Sequence, residues 1–362
     1  MGPGLLALFL CVGCAPEAPP KGEDLLVVLN KAAHSATVID LGSGQTKGTL
    51  VTGVAPHEAA GDSAEGLVVA CNYGTQENAG FSLSVLDVKR MRVSRTIPLG
   101  RFRRPHGIQF FRDGARVAVT TEDSETVLVV NIETGRIEKA IPTAQRTSHH
   151  LVLSPDEKRA YVVNIRSGTV SVLDIEESRL VDTLAIGNGA EGLDVSPDGS
   201  ELWVTNRLKD ELAIVDTESL KVEERVPCPG SPIRLRFTPN GSEVVVSNSK
   251  SGDLSVFSAR DRHEIQRISL ALTPEEKEGR FGKVELSPVP VGIVMDPAAQ
   301  RAYVASSNAD LVTAIDTAKW SIVTRFPTGR EPDGMALIHL APPQTASSPQ
   351  NDDRDSDDRE TR

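Results

Sequence analysis

Aromatic residues are scarce in this chain of 362 residues: nine Phe, three Tyr and two Trp make up 4% of it. So thin a supply argues against an aromatic cage for sugars or bases. Net positive charge is missing as well. A formal charge of −11 argues against a nucleic-acid partner, because phosphate binding needs a net basic face. Only four cysteines occur, and beyond residue 14 no spacing suits a zinc site. The apolar run 5–12 is far short of the about 20 residues that a membrane-spanning helix needs. Three enzyme signatures are also lacking: a phosphate-binding glycine loop, a His-Glu-x-x-His zinc helix and a nucleophile elbow.

What the chain has is a period. A polar residue closes an apolar strand at Asn30, Asn72, Thr121, Asn164, Asn206, Asn248 and Ser306. A second series marks the middle of a Pro-x-Gly-like triplet: His57, His106, His149, Glu191, Ile233, Val291 and Asp333. Both have seven members spaced 42 to 43 residues apart, with two stretched intervals of 49 and 58. Short strands at this period indicate an all-β, seven-bladed propeller of four-stranded antiparallel blades. The stretch 24–341 holds the whole ring as one domain, despite its length.

Within a unit, 160–164, 169–174, 180–186 and 191–195 read as strands, and Ser196-Pro197-Asp198-Gly199 as the tight turn into the next. Asp113-Gly114 and Asn240-Gly241 repeat that turn. Pro98, Pro142, Pro227 and Pro327 end outer strands, where an unpaired edge tolerates a missing donor. The chain starts at the second strand of blade 1, so the innermost strand of that blade must come from 333–340. Two insertions break the period, one at 75–81 with a longer loop at 101–104, the other at 271–286. In the second, Thr273-Pro274-Glu275-Glu276 suits the start of a short helix over 274–278, folded over one face or left as an exposed loop.

Trp203-Val204-Thr205-Asn206, Tyr161-Val162-Val163-Asn164 and the Ser-Pro-Asp-Gly turn resemble the signatures of the YVTN-repeat seven-bladed β-propeller family, across about residues 24–340. The resemblance is specific for fold and implies an exported protein. For activity it implies little, since related propellers serve as lactonases, metal sites and haem platforms.

The ends of the chain carry address rather than chemistry. Residues 1–14 resemble a bacterial lipoprotein signal, with Cys14 the lipidated residue and 15–23 a Pro-rich linker. Cys11 and the absence of Lys or Arg from residues 1–4 depart from that pattern. Cys11 and Cys14 are followed by Ala15 rather than His, which excludes c-type haem attachment there. The expected location is the periplasm or outer surface, with membrane contact only through the lipid and the protein monomeric. Residues 342–362 form an acidic tail that should be disordered, its last twelve carrying six acids and three arginines. Cys71 and Cys228 fall in blades 2 and 5, too far apart for a disulfide.

The triplet position is where the repeats differ. A small turn residue would suffice, yet three successive blades supply His57, His106 and His149, the next supplies Glu191, and Asp333 follows across the closure. The chain has seven histidines in all, so this placement is not accidental. Imidazoles with a carboxylate at a channel mouth suit a divalent transition metal held by His57, His106, His149 and Glu191, or else a hydrated polar rim. A metal requires these groups to converge to about 2.0–2.2 Å. His150 points to the other side of its strand and is a weaker candidate, while His34, His263 and His339 fall outside the pattern. Arg101, Arg103, Arg104, Arg146, Arg166, Arg207, Lys209, Arg234 and Arg330 belong to the same face as loop charges, of which Arg104 and Arg146 could hold an anion. Glu58, Glu191 and Asp333 could furnish a carboxylate pair. These residues point to a cell-envelope module that binds a small molecule or protein partner at its channel mouth. The alternative is a lactonase-type, metal-dependent hydrolase.

Overall fold

The structure, a computed structural model, describes residues 22–277, 287–296 and 301–342. The signal and Cys14 readings and the tail beyond 342 lie outside these residues. Seven four-stranded antiparallel sheets stand around one axis, each innermost strand touching the next until the ring is complete. Blade 2 runs Pro56–Asp62, Leu67–Gly74, Ala79–Asp87 and Arg92–Pro98 from axis to rim. Blades 3 to 7 follow the same plan.

Blade 1 is composite. Its innermost strand, Pro332–Leu340, pairs antiparallel with the first strand, Glu23–Asn30, matching Glu23 to Leu340 and Val28 to Met335. Ser35–Asp40 and Gln45–Val51 complete it. The two ends of the ring are therefore joined by one sheet's ladder, as the register of repeats implied.

The core lies between blades. Second and third strands are sandwiched on both faces, so Arg159–Asn164 is buried after its first residue. Val163, Val170 and Val172 of blade 4 pack on Leu202, Val204 and Ala213 of blade 5. Outer strands such as Arg92–Pro98 bury little, and their terminal prolines are exposed. Cys71 and Cys228 are buried free thiols in separate interfaces.

The recurring polar landmarks tie strands to turns. Asn164 Nδ2 donates to Ser171 Oγ at 2.9 Å, and Asn30 Nδ2 donates to Thr37 Oγ1 at 2.9 Å. Buried amides so placed satisfy strand ends that bend toward the next hairpin.

Both insertions have a physical anchor. Residues 75–81 lengthen the hairpin of blade 2, and Arg104 clamps its carbonyls at Thr75 (3.0 Å) and Gln76 (3.2 Å). In the second, a helix spans Pro274–Lys277, with residue 278 outside the described residues. Thr273 N–H donates to Glu276 Oε2 and Glu276 N–H donates to Thr273 Oγ1, a reciprocal cap. Arg325, on the outer strand of blade 7, pairs with Glu276 and donates to the carbonyls of Leu270 and Ala271. The start of this insertion is thus pinned to the rim of the next blade. Among the described residues, no helix is long and apolar enough to cross a membrane.

Candidate functional site

In every blade the ladder between the first two strands slips at the triplet, for example between Pro56 and Ala59, and between Ala190 and Leu193. Such a bulge re-aims the side chains it interrupts; it frees two residues from pairing in most blades and one, Ile233, in blade 6, where Arg234 pairs with Ser247. The first freed residue belongs to the series His57, His106, His149, Glu191, Ile233, Val291 and Asp333. The residue after it gives another series of seven: Glu58, Gly107, His150, Gly192, Arg234, Gly292 and Gly334.

The glycines of the second series exist because the axis is crowded. A Cβ on Gly192 would stand 2.3 Å from the carbonyl oxygen of Ile233, and one on Gly334 2.4 Å from that of His57. The three large members come from alternate blades and meet across the axis. Arg234 donates to Glu58 Oε1 through Nη2 (2.9 Å) and Nε (3.2 Å), and His150 Nε2 lies 3.8 Å from the same oxygen. All three are buried. They plug the channel, so the mouth is a dead end rather than a pore.

This corrects the sequence reading twice. Arg234 is not a loop charge but the central cation of the ring. His150, set aside because it alternates with His149, reaches the axis because the bulge breaks strand alternation.

A third series completes the site: the residue following each polar landmark, Lys31, Tyr73, Glu122, Ile165, Arg207, Ser249 and Ser307. These sit above the first series. Lys31 Nζ is 3.6 Å from Asp333 Oδ2, and the Tyr73 ring lies 4.2 Å from that of His57. Glu122 receives two short bonds, from Tyr73 Oη (2.5 Å) to Oε2 and from His149 Nδ1 (2.5 Å) to Oε1. Arg207 Nη1 stands 3.2 Å from Glu191 Oε2 as an ion pair without hydrogen-bond alignment. Tyr73 and Glu122 were missed from sequence. The signal was available one residue past a landmark already recognised.

His57, His106 and His149 form a continuous arc, with ring centroids 5.2 Å and 3.8 Å apart. His149 Nε2 faces Glu191 Oε1 at 3.5 Å and Arg234 Nη2 at 3.4 Å. Arg234 Nη1 is 3.9 Å from Glu191. Of the two expected arginines, Arg104 lies over the Tyr73 ring and pairs with Asp123 at 3.1 Å. Arg146 is exposed at the edge, its backbone N–H donating to Ser167 Oγ. His34 accepts from Ala55 N–H, His339 pairs with Asp24 and His263 is exposed, all three apart from the arc.

Burial sorts these groups by charge. It lowers His57 to about 4, although Nδ1 bonds the Ala55 carbonyl. Burial likewise holds His106 and His150 well below the usual imidazole value, reinforced by the positive charges of His149 and Arg234. For His149, burial pulls down but the bonds to Glu122 and Glu191 prevail and raise it to about 9. Glu122 and Glu191 stay below the ordinary carboxylate value because the His149 bond outweighs burial. Asp333 is raised by burial despite Lys31.

Directly over His57, Tyr73 and Glu122 opens a cleft of about 460 Å³, rimmed by Lys31, Arg104, Asp123 and Arg166. As for metal donors, His106, Glu122 and His149 offer atoms all within 4.8 Å of one another. Relative to the set read from sequence, this triad replaces His57 and Glu191 with Glu122.

Residues 45–268 match the model of the lactonase, seven-bladed β-propeller family. The chain belongs to the lactonase seven-bladed β-propeller family. No curated protein matches it. Among solved structures, a chain of the Kuenenia stuttgartiensis hydrazine synthase is similar, with a TM-score of 0.67 and 18% identity. That match covers 86% of this chain and 99% of the other, and at such identity it speaks for the fold alone. In this lactonase-family ring, blades 1 to 5 carry the polar mouth. Blades 6 and 7 contribute Ile233, Val291, Ser249 and Ser307, leaving the cleft on one side of the axis.

Proposed function

We propose that the protein is an exported, lipid-anchored cell-envelope propeller that binds a small organic anion at its channel mouth. The observation that carries this is the 460 Å³ cleft, whose rim presents Lys31, Arg104 and Arg166 above a floor of neutral His57 and Tyr73. Its size suits a small molecule. The two acids that line it are engaged, Glu122 by His149 and Tyr73, and Asp123 by Arg104. A carboxylate entering the cleft therefore meets exposed Arg166 and partly exposed Lys31, the latter shared with Asp333 at 3.6 Å. The plug below stops it from passing through.

The lipoprotein-like signal and the YVTN resemblance support the envelope location. Calorimetric titration of the chelator-treated protein with a panel of aldonates and hydroxy acids tests the reading. We expect at least one to bind, and the double variant Lys31→Ala/Arg166→Ala to bind it about tenfold more weakly. Failure of every anion to bind folded wild type would refute it.

Family membership favours a second reading, hydrolysis of a lactone. Water would add to the ring carbonyl, Glu191 taking its proton, and His149 would return a proton to the departing ring oxygen as the C–O bond breaks. Lactone consumption followed by pH-stat should then vanish in Glu191→Gln. Turnover that survives this change removes Glu191 from the chemistry.

A further inference from the structure

From the arrangement of His106, Glu122 and His149 we infer a buried transition-metal site at the head of the channel, beside the anion cleft and sharing only Glu122 with its lining. The three residues come from two blades and are each buried. Two imidazoles and one carboxylate suit zinc, copper or cobalt in their divalent states.

Three observations converge. First, His106 Nδ1 is buried and has no hydrogen-bond partner. A buried polar atom left so is costly, and a metal ion satisfies it. Secondly, each of the other two ligands has support from behind. Tyr73 Oη holds Glu122 by Oε2 while Oε1 faces His149. His149 turns Nδ1 to Glu122 and Nε2 toward the Glu191 carboxylate at 3.5 Å. A carboxylate behind a ligating histidine is the arrangement that fixes its ring and raises its basicity.

Thirdly, the fixed charges leave room for a cation. Glu58, Glu122 and Glu191 are each more than nine-tenths buried, and Arg234 is the buried guanidinium set against them. Arg207, 3.2 Å from Glu191, is a second cation on this set, so three carboxylates face two guanidiniums and one negative charge is left over. An ion entering between His149 Nδ1 and Glu122 Oε1 displaces the hydrogen they share, releasing one proton per metal bound.

His57 is excluded from the ligand set. Its Nδ1 bonds the Ala55 carbonyl, and its ring leans on Tyr73. It belongs to the floor of the cleft.

The test uses chelator-treated full chain without a polyhistidine tag, titrated with cobalt(II). We expect one ion per chain, visible d–d absorption, and two hyperfine-shifted imidazole N–H proton signals in the NMR spectrum. His106→Ala and Glu122→Gln should each weaken binding tenfold or more, whereas His57→Ala should change it less than twofold. No stoichiometric uptake by folded wild type overturns the inference. So does uptake that both ligand variants retain, which would mark an adventitious ion only. Should a variant melt before binding is measured, the wild-type spectrum decides, and shifted signals from one or three histidines count against the triad. Anion binding is measured on metal-stripped protein, so either claim can fail alone.

Discussion

Arg234 shows how much a single side chain can settle at the axis of a ring. It is held by Glu58 at 2.9 Å, lies near Glu191 at 3.9 Å, and keeps its charge despite full enclosure because both carboxylates repay the burial. Removing one member of such a pair is worse than removing both, since the partner is left charged in a dry site. Arg234→Met should therefore cost about 3–5 kcal/mol in denaturant unfolding, and adding Glu58→Leu should recover most of it. If the double variant is as unstable as the single one, Glu58 is not the partner that matters. The same residue marks a limit of sequence reading. The period located His57, His106, His149 and Glu191, because their position repeats and their chemistry departs from it. It could not reveal Arg234 or His150 as axial residues, since a bulge cancels the two-residue alternation from which a strand's inward side is inferred.

At the level of elements, turns carry a titratable device repeated blade by blade. Asp198 Oδ1 accepts from Ser196 Oγ (2.5 Å), Ser200 N–H (3.0 Å) and Ser200 Oγ (2.8 Å), and Asp156 does the same work one blade earlier. These bonds hold Asp156 and Asp198 below the ordinary carboxylate value. Ser43 and Ser219 do likewise for Asp40 and Asp216 in the outer turns. A carboxyl depressed in the folded state stabilises above its unfolded value near 3.8, and that help fades as pH falls through the folded value. Blade 6 already has Asn240 there, which accepts from Thr238 Oγ1 and Ser242 N–H without titrating. In melting curves against pH, Asp156→Asn/Asp198→Asn should track wild type above about pH 5 and lose less below pH 4. Parallel curves down to pH 2.5 would show these turns to be irrelevant to acid unfolding. The strands themselves were readable because their sandwiched faces demand unbroken apolar runs. The boundaries shifted by a residue, as with Arg179–Ala185, because a hydrogen-bond ladder rather than hydrophobicity sets where a strand ends.

For the whole molecule, stability depends on how the circle is fastened. Pro332–Leu340 supplies blade 1 with its innermost strand, puts Ala336 and Ile338 into the core shared with blade 2, and lays Gly334 against the His57 backbone. Truncation after Glu331 should lower the melting temperature by ten degrees or more, or prevent folding. Truncation after Pro342 should leave it within about two degrees. Equal melting temperatures for the two products would mean the ring holds without its clasp.

The clasp also fixes which side of the disc carries Glu23. Pro332–Leu340 begins beside Asp333 at the channel mouth and runs to Leu340, which pairs with Glu23 at the far side of the disc. Glu23 therefore lies on the side opposite His57, His106 and His149. Under the proposed anchoring, a tether arriving on that side would leave the blind cup open to the surrounding fluid.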